Sequence, residues 1–337
     1  MKFVGKHILS VSEFDRAAIE RVFAVADQME PYAQRKKATR VLEGAILGSM
    51  FFEPSTRTRV SFGCAFNLLG GEVRETTELK ATSIAKGESF YDTARVLSGY
   101  SDVIVMRHQI EGSVAEFSEA SRVPVINGGD GANEHPSQAL LDLYTIRKEL
   151  AAKNKSIDGL SISLIGDLRF GRAVHSLCKL LSLFKHIQFN LISPPELSLP
   201  DEYIVAMRDA GHNVNQSTEL QPNISSADIL YVTRTQEERF PNQEEANKYK
   251  GLFSLNQAVY PQFCEPNTVI MHPLPRDSRE AANELDNDLN ENPNLAIFRQ
   301  TDNGVTIRMA LFALILDVVN QVDAHAKPVN WYTAKRF

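Results

Sequence analysis

The chain has 337 residues, 43% of them hydrophobic and 23% charged, with 36 basic against 42 acidic side chains and a net charge of −6. That length holds two domains of ordinary size, and the composition is that of a folded globular protein rather than a disordered one. The acidic balance argues against a general nucleic-acid or anionic-membrane surface, so any cluster of arginines stands out against the average.

Ile19, Val22, Phe23, Val25 and Met29 recur at helical spacing within 12–37, with Ser12 as a cap. The apolar run 45–52 reads as a buried parallel strand. After the polar turn Glu53-Pro54-Ser55-Thr56-Arg57-Thr58-Arg59, residues 60–69 again have helical spacing, closed by Gly70 and Gly71. Such a strand–turn–helix unit places its turn where free backbone N–H groups and the helix dipole favour an anion. Hydroxyls and two arginines in that turn add donors and charge suited to phosphate. An ordinary helix cap by Ser55 or Thr56 is the simpler alternative, but capping alone asks for no paired arginines.

Residues 73–88 are polar and read as a loop, of a length that is often functional. A helix over 89–100 leads to a strand at 103–106 ending in Arg107 and His108, and a strand at 123–126 leads to Asn127-Gly128-Gly129-Asp130-Gly131. Glu134-His135-Pro136-Ser137-Gln138 then opens a helix over 139–150, and the polar stretch 151–158 marks a domain boundary. The second half repeats the pattern. Its strands at 160–165, 189–192, 229–232 and 269–271 end in a turn at 166–172, in Ser193-Pro194, in Thr233-Arg234 and in His272-Pro273-Leu274-Pro275-Arg276. A helix follows over 173–183.

Alternating strands and helices predict an α/β fold of two doubly wound parallel-sheet domains, facing each other across a cleft. Every polar cluster named lies at the carboxyl end of a strand, the edge where such sheets bind ligands.

Cys64, Cys178 and Cys264 are odd in number and far apart, which suggests no disulfide framework. His175 and Cys178 lie three apart on a helix, but a zinc site needs three or four ligands, so packing is the better reading and no metal is expected. His108 and His272 likewise read as core or capping histidines. No apolar signal region begins the chain, and the run 309–319 contains Asp317 and is too short for a bilayer, so a cytoplasmic protein without membrane partners is expected.

The Ser55-Thr56-Arg57-Thr58-Arg59 stretch resembles the carbamoyl-phosphate signature of the aspartate/ornithine carbamoyltransferase family. The likeness extends from the first helix to about Val319, with the family's motifs in order. It implies transfer of a carbamoyl group from carbamoyl phosphate to the amine of L-aspartate, early in pyrimidine synthesis, with no covalent intermediate and no cofactor. Residues 1–150 would bind carbamoyl phosphate, helped by a C-terminal helix at about 304–322 that packs back on them. Residues 151–303 would bind aspartate, and 323–337 form a tail.

Carried over by motif, Ser55, Thr56, Arg57 and Thr58 hold the phosphate, and Arg57 also faces the bridging and carbonyl oxygens. Arg107 binds phosphate and carbonyl, while His135 and Gln138 attend the carbamoyl end. Arg57, Arg107 and His135 are the expected catalytic residues, because amine attack builds charge on the carbonyl oxygen and then on the leaving phosphate. A preorganised donor to such charge is worth about 3–4 kcal/mol.

Arg172 and Arg234 match the positions for the two aspartate carboxylates, with Gln236 close by. The stretch around Leu274 and Pro275 matches the one whose backbone carbonyls receive the carbamoyl amine and the attacking nitrogen. The resemblance further implies a homotrimer, in which a loop carrying Thr82 or Ser83 together with Lys86 reaches the neighbouring subunit's site; it leaves open whether regulatory chains join it in a larger assembly. Lys86 would there serve the aspartate.

Ornithine enzymes of the family carry His-Cys-Leu-Pro and a Ser-Met-Gly loop. This chain has His272-Pro273-Leu274-Pro275 and no Ser-Met-Gly, and a second arginine suits a dicarboxylate better than a cation. A nicotinamide dehydrogenase would need Gly-x-Gly-x-x-Gly, which Gly166 to Gly171 does not supply, and no Walker loop occurs. An inactive scaffold of the same fold would be expected to have lost phosphate-binding residues. Three departures remain. Thr82 takes the place of the loop serine, with Ser83 beside it. Ala173 replaces a common threonine. A tail with Lys327, Trp331, Lys335 and Arg336 extends past the usual last helix.

Overall fold

The computed structural model describes residues 1–76, 87–279 and 282–334. Contacts divide the chain into two compact units, Met1–Leu141 with Asp302–Phe337, and Asp142–Thr301.

In the first unit, helix α1 (Arg16–Ala33) starts at Asp15, whose carboxylate accepts the Ala18 N–H at 2.7 Å. It buries Ile19, Val22, Phe23 and Met29. After the short β1 (Lys37–Ala38) come β2 (Ile46–Phe51), α2 (Thr56–Leu68), β3 (Glu72–Thr76), α3 (Phe90–Leu97), β4 (Val103–His108), α4 (Ser113–Ala120), β5 (Val125–Asp130) and α5 (Pro136–Ala151). Strands β2 to β5 form one parallel sheet in the order β3-β2-β4-β5. Met50, Ile104, Met106 and Val125 pack against Ala94, Val114 and Phe117 from α3 and α4.

In the second unit β6 (Ser161–Ile165), α6 (Arg172–Leu181), β7 (Gln188–Ile192), α7 (Asp201–Asp209), β8 (Asn213–Ser217), α8 (Gln221–Ile224), β9 (Ile229–Val232), α9 (Gln243–Asn247), α10 (Tyr260–Phe263) and β10 (Val269–Met271) follow. The parallel sheet order is β10-β9-β6-β7-β8. Ile165, Leu230, Val232 and Ile270 anchor its core. Helix α11 (Ile297–Ile315) then carries the chain back to the first unit, where β11 (Lys327–Pro328) pairs antiparallel with β1.

Both passages between the units fall inside helices, α5 and α11. A helix that changes unit needs no Pro, Gly or polar signal at the crossing, which is why composition points to 151–158 and the contacts divide the chain earlier. The stretch 73–88 reads as a loop from sequence, yet Glu72–Thr76 is a strand, in register with Ile46–Met50 of β2. It is a sheet edge with mostly exposed side chains, so it lacks the apolar run that marks β2. Edge strand β8 is polar for the same reason.

Each strand order reverses direction once. In the first sheet the chain leaves β2 for β3 on one side and reaches β4 and β5 on the other. In the second sheet β6, β7 and β8 run one way, and β9 and β10 lie on the other side. These reversals open a crevice at the carboxyl ends of β2 and β4, and of β6 and β9.

Helix α11 returns as a core element. Phe312 meets Phe62 and Phe66 of α2 edge-on, at ring-centroid distances of 5.9 and 5.0 Å, and is fully buried. Phe312→Ala should destabilise the fold by about 3–5 kcal/mol through lost burial and an unfilled cavity. That corresponds to a fall in melting temperature of roughly 2–4 °C per kcal/mol for a unit of this size. A change below about 1 kcal/mol would show that the returning helix is not part of this core.

Candidate active site

At the carboxyl end of β2, Ser55 occupies the N-cap position of α2 with φ −161° and ψ 87°, and its hydroxyl makes no capping hydrogen bond. The capping alternative therefore does not account for Ser55. Thr56 and Arg57 are exposed in the first turn, and Thr58 is buried.

Neighbouring strand β4 brings Arg107 alongside, since Phe51 pairs with Arg107 and the Phe52 N–H donates to the Arg107 carbonyl at 2.9 Å. Arg107 is held from two sides. Its Nη2 pairs with Glu53 Oε2 at 2.9 Å, and its Nη1 donates to the Gly128 carbonyl at 3.3 Å. Glu53 was not recognised from sequence, where it is one acidic residue in a polar turn.

His135 and Gln138 belong to the loop and first turn after β5. Asp130 organises that loop. Its Oδ1 accepts from Asn127 Nδ2 at 2.9 Å and the Glu134 N–H at 3.2 Å, and its Oδ2 accepts from the Gly112 N–H at 2.9 Å and Asn133 Nδ2 at 3.0 Å. Glu134 is fixed in turn by the Val11 N–H at 3.3 Å. The buried His135 leads into α5, its carbonyl accepting the Gln138 N–H at 3.0 Å. His108 is a core histidine. Its Nδ1 accepts the Ile110 N–H at 3.1 Å, and its ring lies edge-on to Phe52 and Phe90. Burial holds it below the ordinary histidine value, against the opposing pull of Glu53.

In the second unit the β6–β9 junction is tight. Gly166 has φ +113°, and a Cβ there would lie 2.2 Å from the Thr233 carbonyl oxygen, so only glycine allows this approach. Asp167 follows, its carboxylate accepting the Phe170 and Gln236 N–H groups, both at 3.0 Å. Burial raises its pKa, and those hydrogen bonds and Arg234 oppose the shift.

Arg234 makes a two-pronged pair with Glu238, Nη1 to Oε2 at 3.0 Å and Nη2 to Oε1 at 2.7 Å. Burial lowers its pKa, but Glu238 and further carboxylates outweigh that and raise it. Glu238 is held below the usual carboxylate value by the same contact, despite burial. Gln236 Nε2 donates to the Arg234 carbonyl at 3.3 Å. Arg172 opens α6 and is half-buried.

After β10, the Leu274–Pro275 peptide is cis and Leu274 has φ +58°. His175 Nε2 lies 2.9 Å from the Leu168 carbonyl oxygen, and its ring stacks on Tyr203. Cys178 is buried and its thiol is pushed up to about 12. No group of three or more metal-ligating side chains occurs among the described residues, and no helix among them is long and apolar enough to cross a membrane. Thr82, Ser83 and Lys86 lie outside the described residues.

Ser55 to Thr58, Arg107, His135 and Gln138 thus share the carboxyl edge of the first sheet, and Arg172, Arg234, Gln236, Leu274 and Pro275 that of the second. Two family models match the two halves of the chain separately. The family model described as aspartate/ornithine carbamoyltransferase, carbamoyl-P binding domain, matches residues 6–148. The one described as aspartate/ornithine carbamoyltransferase, Asp/Orn binding domain, matches 158–315.

The chain is 72% identical over 337 residues to the aspartate carbamoyltransferase catalytic subunit of Saccharophagus degradans, covering 100% of both. It is 67% identical to that of Cellvibrio japonicus, covering 100% of this chain and 99% of the relative. Among solved structures, the catalytic subunit of M. jannaschii aspartate transcarbamoylase matches with a TM-score of 0.83 at 43% identity, over 93% of this chain and 98% of that one. Trypanosoma cruzi aspartate transcarbamoylase in complex with carbamoyl phosphate and aspartate matches with a TM-score of 0.85 at 35% identity, over 93% and 98%. The chain belongs to the aspartate/ornithine carbamoyltransferase family.

Proposed function

We propose that this chain transfers the carbamoyl group of carbamoyl phosphate to the amine of L-aspartate, giving N-carbamoyl-L-aspartate and phosphate for pyrimidine biosynthesis. The observation that carries the reading is a pair of complementary edges in one chain. One unit presents an anion-suited turn at Ser55 to Thr58 beside the fixed Arg107, and the other presents Arg172 and Arg234, suited to a dicarboxylate.

The aspartate nitrogen attacks the carbamoyl carbon, forming the C–N bond. Negative charge develops on the carbonyl oxygen, where Arg57, Arg107 and His135 donate. Collapse breaks the carbon–oxygen bond to phosphate, which leaves held by Ser55, Thr56, Arg57 and Thr58 and takes up the proton lost from the amine. Gln138 and the backbone carbonyls at Leu274 and Pro275 receive the carbamoyl amine. No enzyme nucleophile is consumed, so rate comes from positioned donors and from holding both substrates at once.

The direct test measures carbamoyl-aspartate beside citrulline formation with L-aspartate and L-ornithine as acceptors. Aspartate is the expected acceptor, and preferential citrulline formation overturns the assignment. Arg57→Ala should lower kcat about 10²- to 10³-fold with the melting temperature unchanged. Arg234→Ala should act chiefly by raising KM for aspartate, since its charge holds the substrate carboxylate in ground and transition states alike. Reversed profiles would mean the two edges have exchanged roles.

The working assembly is a cytoplasmic homotrimer open to regulatory chains, with Lys86 and Thr82 or Ser83 serving the neighbouring chain's site. Three free cysteines fit a reducing compartment. Val60, Tyr91, Val96 and Tyr100 expose large apolar side chains on or beside α2 and α3, as a subunit interface would use. Mixing inactive Arg57→Ala chains with inactive Lys86→Ala chains should restore roughly a quarter of sites, because each site in a cyclic ring lies at one directional interface. Subunit exchange without recovered activity would place Lys86 in its own chain's site or outside catalysis.

A further inference from the structure

The segment 272–277 after β10 is gripped by buried side chains that the reaction does not itself use. The His272 N–H donates to Gln300 Oε1 at 3.0 Å. Gln300 is oriented by Asp142 at 2.6 Å, which also accepts the Tyr231 hydroxyl at 2.7 Å. The His272 ring closes the segment internally, its Nδ1 accepting the Leu274 N–H at 2.8 Å.

With Nδ1 acting as acceptor, the ring proton sits on Nε2 and is donated to Glu284 Oε1 at 2.9 Å. The same Oε1 accepts the Asp277 N–H at 2.9 Å. One carboxylate oxygen therefore ties residue 272 to residue 277, and Leu274 between them sits in the left-handed region at φ +58°. A non-glycine residue held there costs about 1–3 kcal/mol and persists only where its surroundings impose it. Glu284 Oε2 has no hydrogen-bond partner among the described residues, so Oε1 alone does this tying.

We propose that Glu284, acting through His272, is a positioning residue that sets the Leu274–Pro275 turn for carbamoyl transfer. The proposal rests on the carbamoyltransferase reading above. What the turn requires of Glu284 is an acceptor at the right reach, not a negative charge. Burial favours the neutral His272 ring even though Glu284 opposes this, and the neutral ring is the form whose Nδ1 can accept from Leu274.

Two conservative variants separate reach from charge. Glu284→Gln keeps an acceptor oxygen at the same distance and removes the charge, whereas Glu284→Asp keeps the charge and withdraws the oxygen by one methylene. In carbamoyl-aspartate assays on the full chain, Glu284→Asp should lose about 10- to 100-fold in kcat, as a misplaced positioning group does. Its KM for carbamoyl phosphate should stay within about twofold, because the first unit holds the phosphate. Glu284→Gln should keep kcat within about threefold.

His272→Asn can still accept the Leu274 N–H but cannot reach Glu284. It should lose as much as Glu284→Asp, and the double variant no more than either. Should Glu284→Asp melt below the assay temperature, Glu284→Gln and His272→Asn make the same comparison. Wild-type kcat in Glu284→Asp or His272→Asn overturns the proposal, as does equal loss in Gln and Asp variants. A wild-type chain that makes no carbamoyl-aspartate overturns the carbamoyltransferase reading itself, and the proposal with it.

Discussion

A central parallel strand covered on both faces has room for charged side chains only towards its ends, and ligand sites form at the carboxyl ends. Both sheets obey this constraint. Strands β2, β4, β6 and β9 are buried along almost their whole length, with only serines as polar side chains before their ends, and charged side chains begin at their last residues or just beyond, at Glu53, Arg107, Asp167 and Arg234. Where neighbouring strands diverge in connection, no crossover covers the edge, and the side chains there become available to a ligand. Gly166 shows how closely the geometry is drawn, since a single methyl group would force β6 away from Thr233.

The arginines at these edges come with carboxylates, but the pairs differ in how firmly they hold. Arg107 and Glu53 have side chains only 10% and 19% exposed, so separating them would strand charges in a poorly solvated place. That pair behaves as a fixed strut, and it aims Arg107. Glu238 is 51% exposed where it meets Arg234, so water can take over its charge and another carboxylate can take its place. A guanidinium held in this two-pronged way presents the fork geometry that any carboxylate fits. The first contact keeps geometry constant, and the second can be exchanged.

Much of this was legible in the chain itself. The apolar runs of β2, β4, β6, β9 and β10 and the polar clusters after them pointed to the α/β pattern, and the stretch Ser55 to Arg59 pointed to the family that the whole chain matches. Edge strands β3 and β8 escaped because half their surroundings are solvent, and a strand in that position carries no continuous apolar run. The carboxylates that organise the edges escaped for another reason. Glu53, Asp130, Asp167, Glu238 and Glu284 are acidic residues in polar stretches at or beyond strand ends, and what distinguishes them is a partner that only folding brings near. The tail had no account from sequence. In the structure its start is tied down, with Asp323 accepting from Tyr32 at 2.7 Å and Gln28 at 2.9 Å, and β11 pairing with β1.

Two of the thiols and two of the buried histidines are, by contrast, kept quiet. Burial pushes the Cys178 thiol up to about 12 and the Cys264 thiol up to about 11, far from the thiolate form that reacts. His108 and His272 are both held below their ordinary value by burial and spend their Nδ1 atoms accepting backbone N–H groups. Carbamoyl phosphate is already activated by its phosphate leaving group, so the transfer asks for donors in fixed places rather than for a reactive side chain. Donor placement depends on loops, and loops have no ladder of their own to hold them. Here those turns are held by buried carboxylates, Asp130 before His135, Asp167 at Gln236, and Glu284 with His272 around Leu274.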